Sequence, residues 1–395
     1  MELSKIKKSD LSKMKSPCFL VDESSLEKNA LILDAVQKRT GCRILLALKA
    51  YALWKTFPLL RRYLHGVCAS GLNEARLGRE EFGKEVHTFS PGFTREEFPQ
   101  IMKFSDTVIF NSISQWQQFK GSADKTGRKV RFGLRVNPEK SVAGEKFGIY
   151  DPSMPGSRLG IRLHELKGRP LDRISGLHFH ALCEQNADAL EKVLDAFDRK
   201  FSPFLRHMEW VNFGGGHHIT RKDYDIDRLC RLIEKFKIKY PNIKKVYLEP
   251  GEAVVLNAGI FVASVVDIIP GKRGTAILNC SVEAHFPDIL LTRNEPAPYI
   301  PDIVGAEKKR TKNNPYGYLL GGTSCAAGDV FGEYYFSGPL EIGQNLAFLD
   351  AAHYSMVKTN TFNGVGLPAI MVMDRNGSLR RIKKFGYEDF KSRLS

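Results

Sequence analysis

The sequence predicts a (β/α)8 TIM-like barrel followed by a mostly antiparallel β-barrel or β-sandwich domain. Three observations carry that prediction. Before residue 250, eight short apolar runs rich in β-formers alternate with longer helical stretches, the alternation that builds a parallel sheet. Together they occupy roughly the 250 residues typical of a closed eight-fold barrel. Beyond Pro250 the texture changes to short runs separated by Gly, Pro and Asn, with little helical periodicity, as in antiparallel sheets.

In chain order the eight runs are 44–48, 67–69, 86–89, 108–110, 132–136, 177–179, 210–213 and 246–248. Each stops abruptly, at Lys49, Ser70, Ser90, Asn111, Asn137, His180, Gly214 and Glu249 respectively. A doubly wound sheet is the competing arrangement. Its glycine-rich dinucleotide fingerprint is missing from the first strand–helix turn, Leu48-Lys49-Ala50-Tyr51. The later runs are 261–266, 276–278, 346–349 and 369–373, and the basic stretch 307–314 between two of them reads as an exposed loop. The expected organisation is an N-terminal segment 1–20 associated with the β domain, a barrel over 21–262 and a β domain over 263–395.

Composition narrows the function classes. With 43% hydrophobic and 26% charged residues, the 395-residue chain builds a large core and is not globally disordered. No run approaches eighteen apolar residues, so no membrane helix is expected. The N-terminus has no apolar core of a secretory signal. Seven cysteines, an odd number with scattered spacing and no CxxC, argue against a disulfide framework or a zinc module. A reduced, cytosolic protein is the simplest reading. The formal charge of +15 raises the question of nucleic acid, but the basic residues spread over helices and loops without interleaved aromatics. Neither a nucleic-acid nor a membrane partner is expected.

Catalytic groups of such barrels gather at the carboxyl ends of the strands, which makes the run-ending residues informative. Lys49, partly desolvated there, would become a nucleophilic amine; alone it is more often a solvated lysine at a strand end. Gly214-Gly215-Gly216 expose backbone N–H groups where barrels often bind phosphate; alone they make a flexible turn. Glu249 suits a protonated ring nitrogen, or a salt bridge in the rim. His178 and His180 alternate onto one face. Two histidines suggest a metal, yet no third ligand has supporting spacing, and no metal is expected; a flat imidazole against a planar ring needs less. Lysine, phosphate cradle, acid and flat histidine together describe a pyridoxal 5′-phosphate (PLP) site.

At this point the residues carry a family resemblance. Ala47-Leu48-Lys49-Ala50, Cys68-Ala69-Ser70 with Glu74, His178-Phe179-His180, Phe213-Gly214-Gly215-Gly216 and Glu249-Pro250-Gly251 resemble the alanine-racemase-fold (fold type III) PLP-dependent decarboxylases, which include the ornithine and diaminopimelate enzymes. Gly321-Gly322-Thr323-Ser324-Cys325 and Ala352-His353-Tyr354-Ser355 extend the match, in the family's order, through nearly the whole chain.

The resemblance implies the following roles. Lys49 would be the Schiff-base lysine, Glu249 the partner of the ring nitrogen, and His180 the group stacked on the ring. Gly214 to Gly216, Gly251 and Tyr354 would hold the phosphate, and Arg135 matches an arginine near the cofactor. Cys325 would be the proton donor, reaching the site from the second subunit of a homodimer with shared active sites.

Three departures sharpen the expectation. Glu252 follows Glu249-Pro250-Gly251 where ornithine and diaminopimelate decarboxylases usually have arginine; Ala181-Leu182-Cys183-Glu184 replaces a Gly-Ser step; and Ser281-Val282-Glu283-Ala284-His285-Phe286-Pro287-Asp288 is typical of neither. These look like the branch of the family that decarboxylates carboxylated polyamines. A polyamine brings several ammonium groups that need acids to receive them. Glu252 and Asp288 are the leading candidates, with Glu184, Glu283 and Asp329 behind; His285 would orient Asp288 or the substrate carboxylate, or equally be a plain surface residue. The rivals are a decarboxylase of diaminopimelate, ornithine or arginine, a silent regulatory homologue, and a barrel-only PLP-binding protein, which the β domain disfavours.

Overall fold

The computed structural model describes residues 11–395 except 13, 126–128, 143, 144 and 272. The first ten residues of the expected N-terminal segment therefore lie outside the described residues. The chain divides into two compact units, Glu27–Val254 and a second made from the residues up to Leu26 with Val255–Ser395. The exchange points compare with 20/21 and 262/263 expected from sequence.

Strand β1 (Cys18–Asp22) comes first and belongs to the second unit. The barrel follows: β2 (Arg43–Ala47), β3 (Gly66–Ala69), β4 (Glu85–Phe89), β5 (Thr107–Phe110), β6 (Arg131–Arg135), β7 (Ile174–His178), β8 (Trp210–Asn212) and β9 (Lys245–Leu248). All eight pair in parallel, and β9 closes onto β2 through Arg43 opposite Tyr247 and Ile44 opposite Leu248. These are the eight runs read from the sequence. Helices pack outside because their apolar residues recur every three or four positions. In Ala187–Leu205 that stripe is Leu190, Val193, Leu194, Phe197, Phe201 and Leu205, all buried.

Inside the barrel, size alternates so that the layers fill. Trp210 crosses the interior, and a Cβ at Gly176 would lie 2.0 Å from its ring and one at Gly133 2.4 Å. Two glycines on neighbouring strands thus make room for the largest side chain, which donates its indole N–H to Ser175 Oγ at 3.0 Å. The amino-terminal mouth is closed by ions. Glu85 accepts from Arg131, from Arg43 at 3.1 Å and from the Tyr247 hydroxyl at 2.9 Å. Such a network at the bottom of a barrel is a stability feature, leaving the opposite mouth for chemistry.

The second unit is a nine-stranded sheet. Its further strands are β10 (Gly259–Ile269), β11 (Gly274–Leu278), β12 (Ala306–Glu307), β13 (Tyr316–Gly321), β14 (Val330–Phe336), β15 (Asn345–Leu349), β16 (Ala369–Met373) and β17 (Leu379–Lys383). The order is β12-β14-β13-β11-β10-β1-β16-β17, with β15 also on β10; pairing is antiparallel except β1 with β16 and β11 with β13. The eleven-residue β10 joins the two halves, pairing β1 and β15 through its first residues and β11 through its last. Both of its faces are covered at the start: Ile260 and Val262 pack with Leu20 and Ala347, while Phe261 meets Phe19, Phe286 and Phe348. The edge strand β17, LRRIK, is mostly exposed and basic, which discourages edge-to-edge association. The stretch 308–314 is largely exposed, as expected.

Candidate active site

The carboxyl ends of β6 to β9 bring four polar groups together. Glu249 follows β9 directly and is buried, 7% exposed. Asn212, the last residue of β8, donates to Glu249 Oε1 at 2.6 Å, and its own Oδ1 accepts the Gly214 N–H at 2.8 Å. His178, the last residue of β7, sets Nε2 3.3 Å from Glu249 Oε2 without hydrogen-bond alignment. Burial pushes the Glu249 carboxyl up, but His178, His87 and Asn212 outweigh it and hold the group at about 2. Burial lowers the His178 pKa against the pull of Glu249, and burial followed by the charge of Glu249 raises the neighbouring Cys68 thiol. Glu249 is thus an ionised, buried carboxylate, held so by His178, His87 and Asn212, and its charge is felt by Arg135. A buried carboxylate held in this form can also pair with a cationic group brought to it.

His180 lies two residues beyond β7. Its Nδ1 accepts the Gly215 N–H at 3.2 Å, and its carbonyl accepts from Arg135 Nη2 at 3.1 Å. Burial, then the charges of Lys49 and Arg135, hold its pKa well below the usual value. The ring is therefore neutral, with Nε2 carrying the proton because Nδ1 is an acceptor. Arg135, buried at the end of β6, lies over the Phe89 ring at 4.6 Å, and burial lowers its pKa to about 10, far above neutrality.

The three glycines were expected to expose their N–H groups. Two are already engaged, by Asn212 and His180. The stronger constraint is space: a Cβ would lie 2.3 Å from the Phe179 carbonyl at Gly214, 2.4 Å from the Glu249 carbonyl at Gly215 and 2.0 Å from the Leu182 carbonyl at Gly216. The glycines let the ends of β7, β8 and β9 converge. Gly251 likewise lets the chain after β9 lie against the Lys49 turn, where its Cβ would be 2.5 Å from Ala50 Cβ. Lys49 is two residues past the end of β2, in a turn, and is exposed. Its positive charge is felt by His180, Cys68 and Glu74.

These residues fit PLP. The ionised Glu249 suits a protonated ring nitrogen, the neutral His180 suits the face of a flat ring, and Lys49 supplies an accessible amine whose charge reaches His180. His178, His180 and Glu249 also present ligand atoms within 4.8 Å of one another, the spacing of a metal site, although His180 Nδ1 is already bonded to Gly215.

A second cluster lies at the same ends of the barrel. Glu184, His218 and Glu252 present donor atoms within 4.8 Å of one another, and His218 Nε2 is 3.4 Å from Glu252 Oε2. His218 is 5% exposed, and neither ring nitrogen has a hydrogen-bond partner among the described residues. Glu184 holds a left-handed backbone, φ 53°. Two of the acids selected for ammonium groups thus converge on a histidine that the sequence did not single out.

The sheet unit carries the other candidates, and three read differently in the structure. His285 is wholly buried; Nδ1 accepts the Ser281 N–H at 3.3 Å and Nε2 meets the Gly366 carbonyl at 3.2 Å, so its partners are backbone groups, not Asp288. Asp288 pairs with Lys358 at 2.5 Å, which neutralises the charge expected to attract an amine. Asp329 is 3% exposed, with both oxygens accepting backbone N–H groups. Burial of those acceptors removes His285 and Asp329 from substrate contact. Glu283 offers its backbone carbonyl to Asn360 at 2.9 Å. Tyr354 opens a short helix with Lys358 5.1 Å over its ring, and Cys325 is an exposed free thiol.

Comparison with known proteins gives a consistent picture. The model of the pyridoxal-dependent decarboxylase family, C-terminal sheet domain, matches residues 18–352. A carboxynorspermidine/carboxyspermidine decarboxylase of Campylobacter jejuni is 43% identical over 96% of this chain and 99% of its own. A carboxyaminopropylagmatine decarboxylase of Synechocystis is 40% identical over 97% and 96%. The crystal structure of the Campylobacter jejuni carboxynorspermidine decarboxylase complexed with norspermidine superposes with a TM-score of 0.87 at 41% identity, covering 96% of this chain and 100% of that one.

Proposed function

The chain belongs to the pyridoxal-dependent decarboxylase family, and on that premise we propose that it converts carboxynorspermidine or carboxyspermidine into norspermidine or spermidine. Among the site's features, the convergence of Glu184 and Glu252 on His218 supports this substrate class most strongly. Where the related diaminopimelate and ornithine enzymes usually have arginine, Glu252 places negative charge, which favours ammonium groups and disfavours the distal carboxylate of diaminopimelate.

PLP, when bound, supplies an electron-accepting ring for the charge left on carbon as CO2 departs. Lys49 would hold it through its side-chain amine. Glu249 would keep a proton on the ring nitrogen. His180, neutral, packs on the ring without adding competing charge. Gly214, Gly215, Gly216 and Gly251 would make room for the phosphate, Tyr354 would offer it a hydroxyl, and Arg135 would add positive potential nearby. Glu252 and Glu184 take the distal ammonium groups. Cys325 of a second copy returns a proton to the carbon that lost CO2, which makes the working form a homodimer. The cytoplasm is the proposed location, in keeping with seven free cysteines.

The relative from Synechocystis supports a second reading, in which the distal group is the guanidinium of an agmatine derivative; carboxylates receive that group equally well. Two variants test the first reading. Glu252→Gln replaces a charge-assisted contact, worth about 1.5–3 kcal/mol, so KM for the triamine should rise roughly 10- to 100-fold with kcat little changed. A fall in kcat at constant KM would sink the assignment. Wild type should show the visible absorbance of a lysine-bound cofactor and Lys49→Ala should lose it; absence of that absorbance from wild type would favour a regulatory homologue.

A further inference from the structure

The loop that carries Cys325 is organised around one carboxylate. It runs from Gly322 to Asp329 between β13 and β14. Asp329 Oδ2 accepts the N–H of Ser324, the residue before Cys325, at 3.0 Å. The Asp329 N–H donates at 3.0 Å to the carbonyl of Ala326, the residue after Cys325. Its carbonyl accepts the Gly322 N–H at 2.9 Å, closing the base of the loop. The remaining oxygen, Oδ1, accepts the Val282 N–H at 2.6 Å, anchoring the loop to the start of the helix Val282–His285.

Space is as restricted as bonding. A Cβ at Gly322 would lie 2.4 Å from both Asp329 oxygens, so the residue opposite the carboxylate has to be glycine. Asp329 is buried and makes no ion pair among the described residues. A buried carboxylate held only by backbone N–H groups fixes the directions of the peptides that donate to it. The outcome is an exposed thiol on a loop whose residues on either side, Ser324 and Ala326, are both tied to Asp329.

We infer that Asp329 is the positioning residue for Cys325, and that accurate proton delivery, not CO2 release, depends on its clamp. This deepens the reading of Cys325 as proton donor and rests on it. In the productive step a C–H bond forms on the carbon that lost CO2, the S–H bond breaks, and the thiolate regains its proton from solvent. With the thiol misplaced, the proton goes to the cofactor's carbon instead. Water then releases the substrate as an aldehyde, its nitrogen remaining on the cofactor, so CO2 forms without amine.

The test is the ratio of CO2 released to polyamine formed by the holoenzyme, measured for wild type, Asp329→Asn, Gly322→Ala and Cys325→Ala. Wild type should give one. Asp329→Asn turns an acceptor into a donor facing a backbone N–H, and Gly322→Ala pushes on the same carboxylate from the opposite side. Both should raise the ratio in the direction of Cys325→Ala, with unchanged KM and with faster amide exchange confined to residues 322–330 and Val282. Should Asp329→Asn fail to fold, Gly322→Ala carries the test. A ratio of one in both clamp variants, with a raised ratio in Cys325→Ala, would overturn the clamp. A ratio of one in Cys325→Ala as well would overturn the donor role of Cys325 itself, and the clamp with it.

Discussion

Replacing Glu249 by Gln keeps its size and its ability to accept from Asn212, and removes one buried negative charge. The folded carboxyl sits at about 2, against an ordinary 4.5. A tenfold change in proton affinity corresponds to about 1.4 kcal/mol, so the ionised group contributes on the order of 3 kcal/mol to stability. The folded carboxyl is the stronger acid, so this contribution is complete above pH 4.5 and is lost as pH falls from 4.5 through 2. For a barrel of this size 1 kcal/mol moves Tm by about 2–4 °C. Glu249→Gln should therefore melt roughly 6–12 °C below wild type at neutral pH, with a gap that starts to close only below pH 4.5. Catalysis should suffer too, because the variant no longer holds a proton on the ring nitrogen. Loss of one preorganised electrostatic partner costs about 10²- to 10³-fold in kcat. Scanning calorimetry across pH and steady-state CO2 release measure the two effects. A variant as active as wild type within about three-fold, or a Tm gap already closing between roughly pH 7 and 6, would refute the picture of an ionised Glu249 stabilised by its neighbours.

Two further substitutions probe the scaffold. Gly215→Ala would drive a methyl group into the Glu249 carbonyl, so cofactor affinity, followed by absorbance titration, should fall by at least about ten-fold, matching an overpacking cost of 1–3 kcal/mol. Gly176→Ala presses on the Trp210 ring inside the barrel and should lower Tm by several degrees. Adding Trp210→Phe should restore part of the loss, since neighbours in contact couple by about 0.5–3 kcal/mol; strict additivity would show that the two do not share that space.

The barrel could be read from the sequence because a buried parallel strand is a continuous apolar run with a sharp polar end. That same sharp end placed Glu249, His180 and Lys49 at one mouth. The sheet unit was harder. Strand β1 is only CFLVD; β13 and β14, YGYLLG and VFGEYYF, contain glycine; and β17 is an edge strand with three basic residues. None has clean alternation. Side-chain roles failed where the partner is remote or is backbone. Asp288 is neutralised by Lys358, seventy positions away, and Asp329 and His285 are occupied by peptide groups that no sequence pattern announces. Asn212 had a weak signal, a polar residue at a strand end just before the glycines. His218, beside the glycine loop, acquired significance only when the fold carried Glu184 and Glu252 to it.

Selection of a carboxylated polyamine by the acids at this barrel mouth is the proposal on which the rest depends. Its most direct test is kcat/KM for decarboxylation of carboxynorspermidine, carboxyspermidine, carboxyaminopropylagmatine and diaminopimelate by the same holoenzyme. A carboxytriamine should be the best substrate, with diaminopimelate turned over poorly or not at all. Activity confined to diaminopimelate would contradict that selection.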